Sequence, residues 1–179
     1  MNPLVRAGRR RRRFGRDTKG AAAIEFALLV PILLAIIFST LEAGWLMVQT
    51  IMLDRALDLT VRELRIGSFA NPTQEAMRDR ICAQAVVLID CQKTLALELI
   101  PITSAASYPT DAARCLNRGT TLQPVLRFDA GQRTQTVFVR ACYVVELFTP
   151  GLGLGLVLSK DETGAVRLVS KSGFINEPA

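Results

Sequence analysis

The sequence predicts an α+β protein on a membrane anchor: a long N-terminal transmembrane helix, a second amphipathic helix and a small antiparallel sheet, linked by disulfides. Three observations predict this. Residues 21–41 read AAAIEFALLVPILLAIIFSTL, charged only at Glu25, and a spanning helix needs about 20 apolar residues. Beyond them come short alternating segments bounded by Pro and Gly, the pattern of strands and turns. Four cysteines, Cys82, Cys91, Cys115 and Cys142, all lie past the apolar run.

The spanning part is placed at about residues 26–48, where Phe26 to Val48 supplies the length and Trp45 stands near the far boundary. Orientation follows from charge. Of 22 basic residues, eight precede residue 21, opposed only by Asp17, so the first 20 residues carry +7 of a net +6 and the remainder sums to −1. The arginine run at 9–13 directly before the apolar segment keeps the N-terminus cytoplasmic by the positive-inside rule, and everything after about residue 50 is exported. In that position the run is a topology and headgroup signal, and no nucleic-acid partner is expected. Arg11-Arg12-Arg13-Phe14 also fits a twin-arginine export core, but five consecutive arginines match it easily and no A-x-A site follows.

The helix continues beyond the membrane, because residues 49–66 lack Pro and Gly and Asp58 and Arg62 stand four apart; Gly67 and Ser68 end it. Pro31 predicts a kink or local melting. Asn71-Pro72-Thr73 opens a second helix to about Asp90, with Ile81, Ala85, Leu88 and Ile89 on one face. Leu95, Leu97 and Leu99 alternate with Glu98 in a strand ending near Pro101, and residues 104–124 form a long loop held by Cys115. Residues 135–148, QTVFVRACYVVELF, give the strongest strand, with Val137, Val139, Ala141, Tyr143 and Val145 on one side and Cys142 on the other. Pro150-Gly151 breaks it, and a last strand covers 165–170. Gly151, Gly153 and Gly155 read as a flexible apolar turn, since the third glycine of a phosphate cradle is missing.

The chain has no histidine, and cysteine spacings of 9, 24 and 27 do not resemble metal sites, so two disulfides in an oxidising compartment are expected. Of three possible pairings, Cys82–Cys91 and Cys115–Cys142 are favoured: one brackets the end of the second helix, the other ties the long loop to the strongest strand. No nucleophile–base set is visible, so neither an enzyme nor a cofactor is expected.

The most informative segment is Lys19-Gly20-Ala21-Ala22-Ala23-Ile24-Glu25-Phe26. A carboxylate five residues into an apolar helix is expensive, which makes it a functional hypothesis needing a partner, and a nearby α-amine is the partner that fits. This segment resembles the processing site of type IV-type prepilins, and Glu25-Phe26 resembles the tight-adherence (Tad, or Flp) branch. The resemblance implies cleavage by a prepilin peptidase after Gly20, Ala21 as the new N-terminus and Glu25 as the assembly carboxylate. A folded part beyond the helix, with Phe148-Thr149-Pro150 and the ending Asn176-Glu177-Pro178, resembles TadE-like minor pilins rather than the short major ones. It implies residues 1–20 as a cleaved cytoplasmic leader, 21–68 as the long helix and 69–179 as an extracytoplasmic domain. The implied setting is the bacterial inner membrane, with other Tad pilins, the inner-membrane pilus platform and lipid as partners. The rival expectation is an uncleaved, membrane-anchored binding or adaptor protein, TadG-like in kind.

Overall fold

The computed structural model describes residues 20–69, 72–116 and 124–176. Residues 1–19 of the expected leader, Asn71, part of the expected long loop and the terminal Glu177-Pro178 lie outside the described residues. Helix α1 spans Ala21–Arg65, and its end is set by Gly67 at φ +69°, whose N–H donates to the Leu64 carbonyl (3.1 Å). A left-handed residue just past the last turn lets the chain reverse while orphan carbonyls are satisfied, and glycine reaches it without strain. The local melting expected at Pro31 does not occur; the helix is continuous through it. One missing hydrogen bond is tolerated when intact turns flank it on both sides.

The two halves of α1 have different surroundings. Residues 21–41 are largely exposed, whereas Gln49, Leu53, Ala56, Leu57, Thr60, Val61 and Leu64 are buried. Their spacing of three and four residues makes one stripe, and it lies on the sheet. The layer partner of the sheet is therefore chiefly the second half of α1, and the second helix adds to it.

That helix, α2, runs Gln74–Gln84, capped by the Thr73 hydroxyl, which accepts from the Ala76 N–H (3.1 Å). It ends six residues before the expected Asp90. Ala85 and Leu88 are buried as expected but sit on a turn that leads, through Asp90 at φ +53°, into the single-turn helix α3, Cys91–Thr94, while Ile89 is exposed. The reason is the Cys82–Cys91 disulfide, with Cα atoms 5.6 Å apart. Nine residues of continuous helix would separate them by about 13.5 Å at ~1.5 Å per residue, so the chain must turn back.

Strand β1 (Leu95–Ile102) pairs antiparallel with β2 (Thr136–Val145), which pairs antiparallel with β3 (Val166–Ile175), in the order β1-β2-β3. Leu95, Leu97, Leu99, Val137, Val139, Ala141, Tyr143 and Val145 face the α1–α2 layer together with Val166 and Phe174. The Tyr143 hydroxyl donates to the Ile89 carbonyl (2.9 Å). Strand β3 extends five residues past the expected end, because Ser170 and Ser172 occupy inward positions where an apolar residue would have signalled continuation.

On the opposite face, Glu98 and Arg140 stand side by side and both are buried, a departure from the outward-facing Glu98 that alternation implied. The segment after β1 covers them: Cys115 is joined to Cys142 with Cα atoms 5.3 Å apart, Tyr108 packs edge-on against Phe138 at 5.0 Å, and the Arg140 Nη1 donates to the Asp111 carbonyl (2.8 Å). Residues 127–129 also bond the edge of β1 through Leu99. Replacing Cys82 and Cys91 with Ser is expected to destabilise the folded part by about 2–3 kcal/mol on the loop-entropy argument. Equilibrium denaturation of the detergent-solubilised protein measures this, and an unchanged midpoint would refute the estimate.

Candidate membrane and assembly site

Gly20 precedes the first helical residue, Ala21, and Glu25 follows one turn later, so Ala21 and Glu25 share a face of α1. Both are exposed, as is Phe26. Ile24, Leu28, Leu29, Ile32, Leu33 and Ile36 continue an apolar surface that nothing among the described residues covers. Among the described residues, α1 is the one helix long and apolar enough to cross a membrane, and none of its most apolar stretch is buried. Such a surface is unfavourable in water by about 25 cal/mol per Å² and favourable in lipid. These four residues, Gly20, Ala21, Glu25 and Phe26, lie at one end of the helix; the four cysteines are in the folded part and pair with one another.

A second polar feature sits further along the same helix. Glu42, only 2% exposed, accepts from the backbone N–H of Phe148 (2.6 Å) and of Thr149 (3.2 Å) and from the Thr149 hydroxyl. One turn earlier, Ser39 donates to the Ala35 carbonyl (2.6 Å) and accepts from the Leu154 N–H (3.0 Å). Trp45 packs against Phe148 with ring centroids 6.2 Å apart. The segment after β2 is thereby fastened to α1 between residues 35 and 45, and it contains the short helix α4, Leu154–Val157.

Its glycines are set by close approach rather than by flexibility. A Cβ on Gly153, which has φ +53°, would fall on the Ser39 hydroxyl, and one on Gly155 would fall on the Thr149 carbonyl. The expected flexible turn is instead a packed one. Sequence reasoning passed over Glu42, although the rule applied to Glu25 applies equally to it: a lone carboxylate between apolar stretches needs a partner. That partner lies 106 residues away in the chain.

Glu63, near the C-terminal end of α1, forms a two-pronged ion pair with Arg80 of α2, through Nε (2.9 Å) and Nη2 (2.8 Å). The hydrogen bonds from Arg80 hold the Glu63 carboxyl below its usual range, against a smaller opposing effect of burial. The pair pins α2 to α1.

Residues 20–62 match the family model described as TadE-like protein. The chain carries a TadE-like helix. The match starts at Gly20, takes in both Glu25 and Glu42, and ends at Arg62, three residues before the end of α1. The match likens this helix to that of TadE-like proteins, and together with the exposed apolar half of α1 it fits a membrane-anchored protein. No curated protein and no solved structure matches the chain.

Proposed function

We propose that the chain is a minor pilin, or pseudopilin, that a prepilin peptidase cleaves between Gly20 and Ala21 and that takes part in assembling a Tad (Flp) pilus for surface adhesion. The observation that carries this reading is the TadE-like match over an exposed apolar helix with a carboxylate one turn from Ala21. Residues 1–20 are then the cytoplasmic leader, residues 26–48 the spanning part, and residues 69–179 an extracytoplasmic domain in whose oxidising surroundings the disulfides persist. Cleavage creates an α-ammonium at Ala21. An ammonium and the Glu25 carboxylate are each costly in hydrocarbon and offset one another when paired, within one subunit or between neighbours. Other Tad pilins and the inner-membrane pilus platform are the partners this packing calls for.

N-terminal sequencing of the membrane-bound form tests the cleavage. The expected mature chain begins at Ala21, and Gly20→Val is expected to leave only the precursor. A Cβ at Gly20 meets nothing within 4 Å, so this substitution acts on the peptidase and not on the fold. An uncut wild-type chain would favour the anchored adaptor instead.

Glu25→Ala is expected to leave insertion intact, or to ease it by removing a charge that costs up to about 2.5–3.5 kcal/mol at the bilayer centre, and to abolish piliation. Immunoblots of membrane and sheared-pilus fractions read both effects; normal piliation by the variant would remove Glu25 from assembly.

A further inference from the structure

We propose that residues 148–158 enter the extracytoplasmic face of the bilayer beside α1, giving the protein a second lipid contact in addition to its spanning helix. The inference rests on α1 spanning the membrane, and it assigns the surrounding lipid as the occupant of an exposed apolar surface.

The segment reads FTPGLGLGLVL and carries no charge. Phe148, Leu156 and Val157 are 69%, 66% and 82% exposed, an apolar tip facing outward from a segment whose base is fixed to Ser39 and Glu42. This segment lies against α1, where Phe148 packs on Trp45. Its level is also appropriate: counted from Phe26, where the spanning part begins, Ser39 and Glu42 lie about 20 and 24 Å along a helix rising ~1.5 Å per residue, in the outer part of a hydrocarbon core about 30 Å thick, and Trp45 lies about 29 Å along, at its far edge. Trp45 and Phe148 then stand at the interface, where aromatic rings gather.

The backbone of the segment suits a lipid surround, since most of its N–H groups are satisfied within the protein. In lipid, N–H and C=O groups must be satisfied within the protein. The N–H groups of Leu152, Gly155, Leu156 and Leu158 donate to carbonyls of the same segment, that of Leu154 to Ser39, and those of Phe148 and Thr149 to Glu42. Pro150 has no N–H. Lys160, just outside the segment, brings its ammonium back to the carbonyls of Pro150 (3.0 Å) and Gly155 (2.6 Å).

The test uses the full-length protein in phosphatidylcholine vesicles. In a Trp45→Phe background, which removes the sole tryptophan, a single tryptophan is placed by Val157→Trp, by Leu156→Trp, by Leu33→Trp in the spanning part, or by Val125→Trp on the folded part. Val157→Trp and Leu156→Trp are expected to emit at shorter wavelength than Val125→Trp, to lose fluorescence to spin-labelled lipid, and to resist aqueous iodide. Quenching by iodide alone would overturn the proposal, and protection from both quenchers would overturn it in favour of a protein partner over the same surface. Leu33→Trp separates the two levels: if it too escapes the lipid quencher, the spanning reading itself fails; if it is quenched while position 157 is not, only the second contact fails.

Discussion

Arg140→Ala is expected to destabilise the folded part by about 3–5 kcal/mol, the range for removing one partner of a buried ion pair. Arg140 and Glu98 are 2% and 1% exposed, and Arg140 donates to Glu98 Oε2 through Nε (2.8 Å) and Nη2. Removing the guanidinium strands a carboxylate beneath the segment that Cys115 ties down. Arg127 does not replace it, being half-exposed with its Nε 4.0 Å from Glu98 Oε1. The loss comes from the stranded charge rather than from a large net value of the pair, so Glu98→Leu combined with Arg140→Met is expected to recover most of it. Denaturant midpoints of the single and double variants, in detergent, decide this; additive losses would mean the pair is not the unit. Asp111 joins the cluster. Burial would raise its pKa, but Arg140 and Arg127 outweigh that and hold it below the usual carboxylate range. Its contribution is therefore complete above the ordinary carboxylate pKa of about 4 and is lost only as pH falls through the lower folded-state value.

The second large effect is expected at Glu42. Glu42→Ala removes the acceptor of two backbone N–H groups, and each buried donor left unsatisfied costs about 1–3 kcal/mol, so a loss of roughly 2–6 kcal/mol is expected locally. The released part is residues 148–158, where chymotrypsin has Phe148 and several leucines to cut. Cleavage there is expected to be much faster in Glu42→Ala than in the wild type, with Glu42→Gln in between because its amide oxygen still accepts from Phe148. Equal resistance in all three would show that the carboxylate is not what holds the segment.

The strands were legible because their signals are local. Leu95, Leu97 and Leu99 fall at every second position around Glu98, and residues 136–145 combine β-branched and aromatic residues on the side that faces α1. The disulfide partners followed from where helix end, loop and strand bring the chain, and the structure joins Cys82 to Cys91 and Cys115 to Cys142. What stayed hidden depended on distant partners. Glu98 looks solvent-facing until Arg140, 42 residues away, is known to lie beside it with a loop above both. Glu42 looks like the frayed end of an apolar run until Phe148 and Thr149 are placed on it. The second helix read too long because Ala85 and Leu88 keep helical spacing and remain buried, yet the backbone between them has already turned to meet Cys91. Strand β3 read too short because serines at inward positions carry no hydrophobic signal.

Helix α1 is one unbroken rod of 45 residues, exposed and apolar at one end and part of the core at the other. No joint separates anchor from cargo. A force drawing the apolar end along its axis loads the packing of Leu53, Leu57, Val61 and Leu64 together, and the Glu63–Arg80 pair with it. Slippage of the rod past the sheet would require those contacts to fail in the same event. The membrane end therefore cannot be hauled anywhere as a loose tether: whatever moves it displaces and reorients the whole folded head as one body.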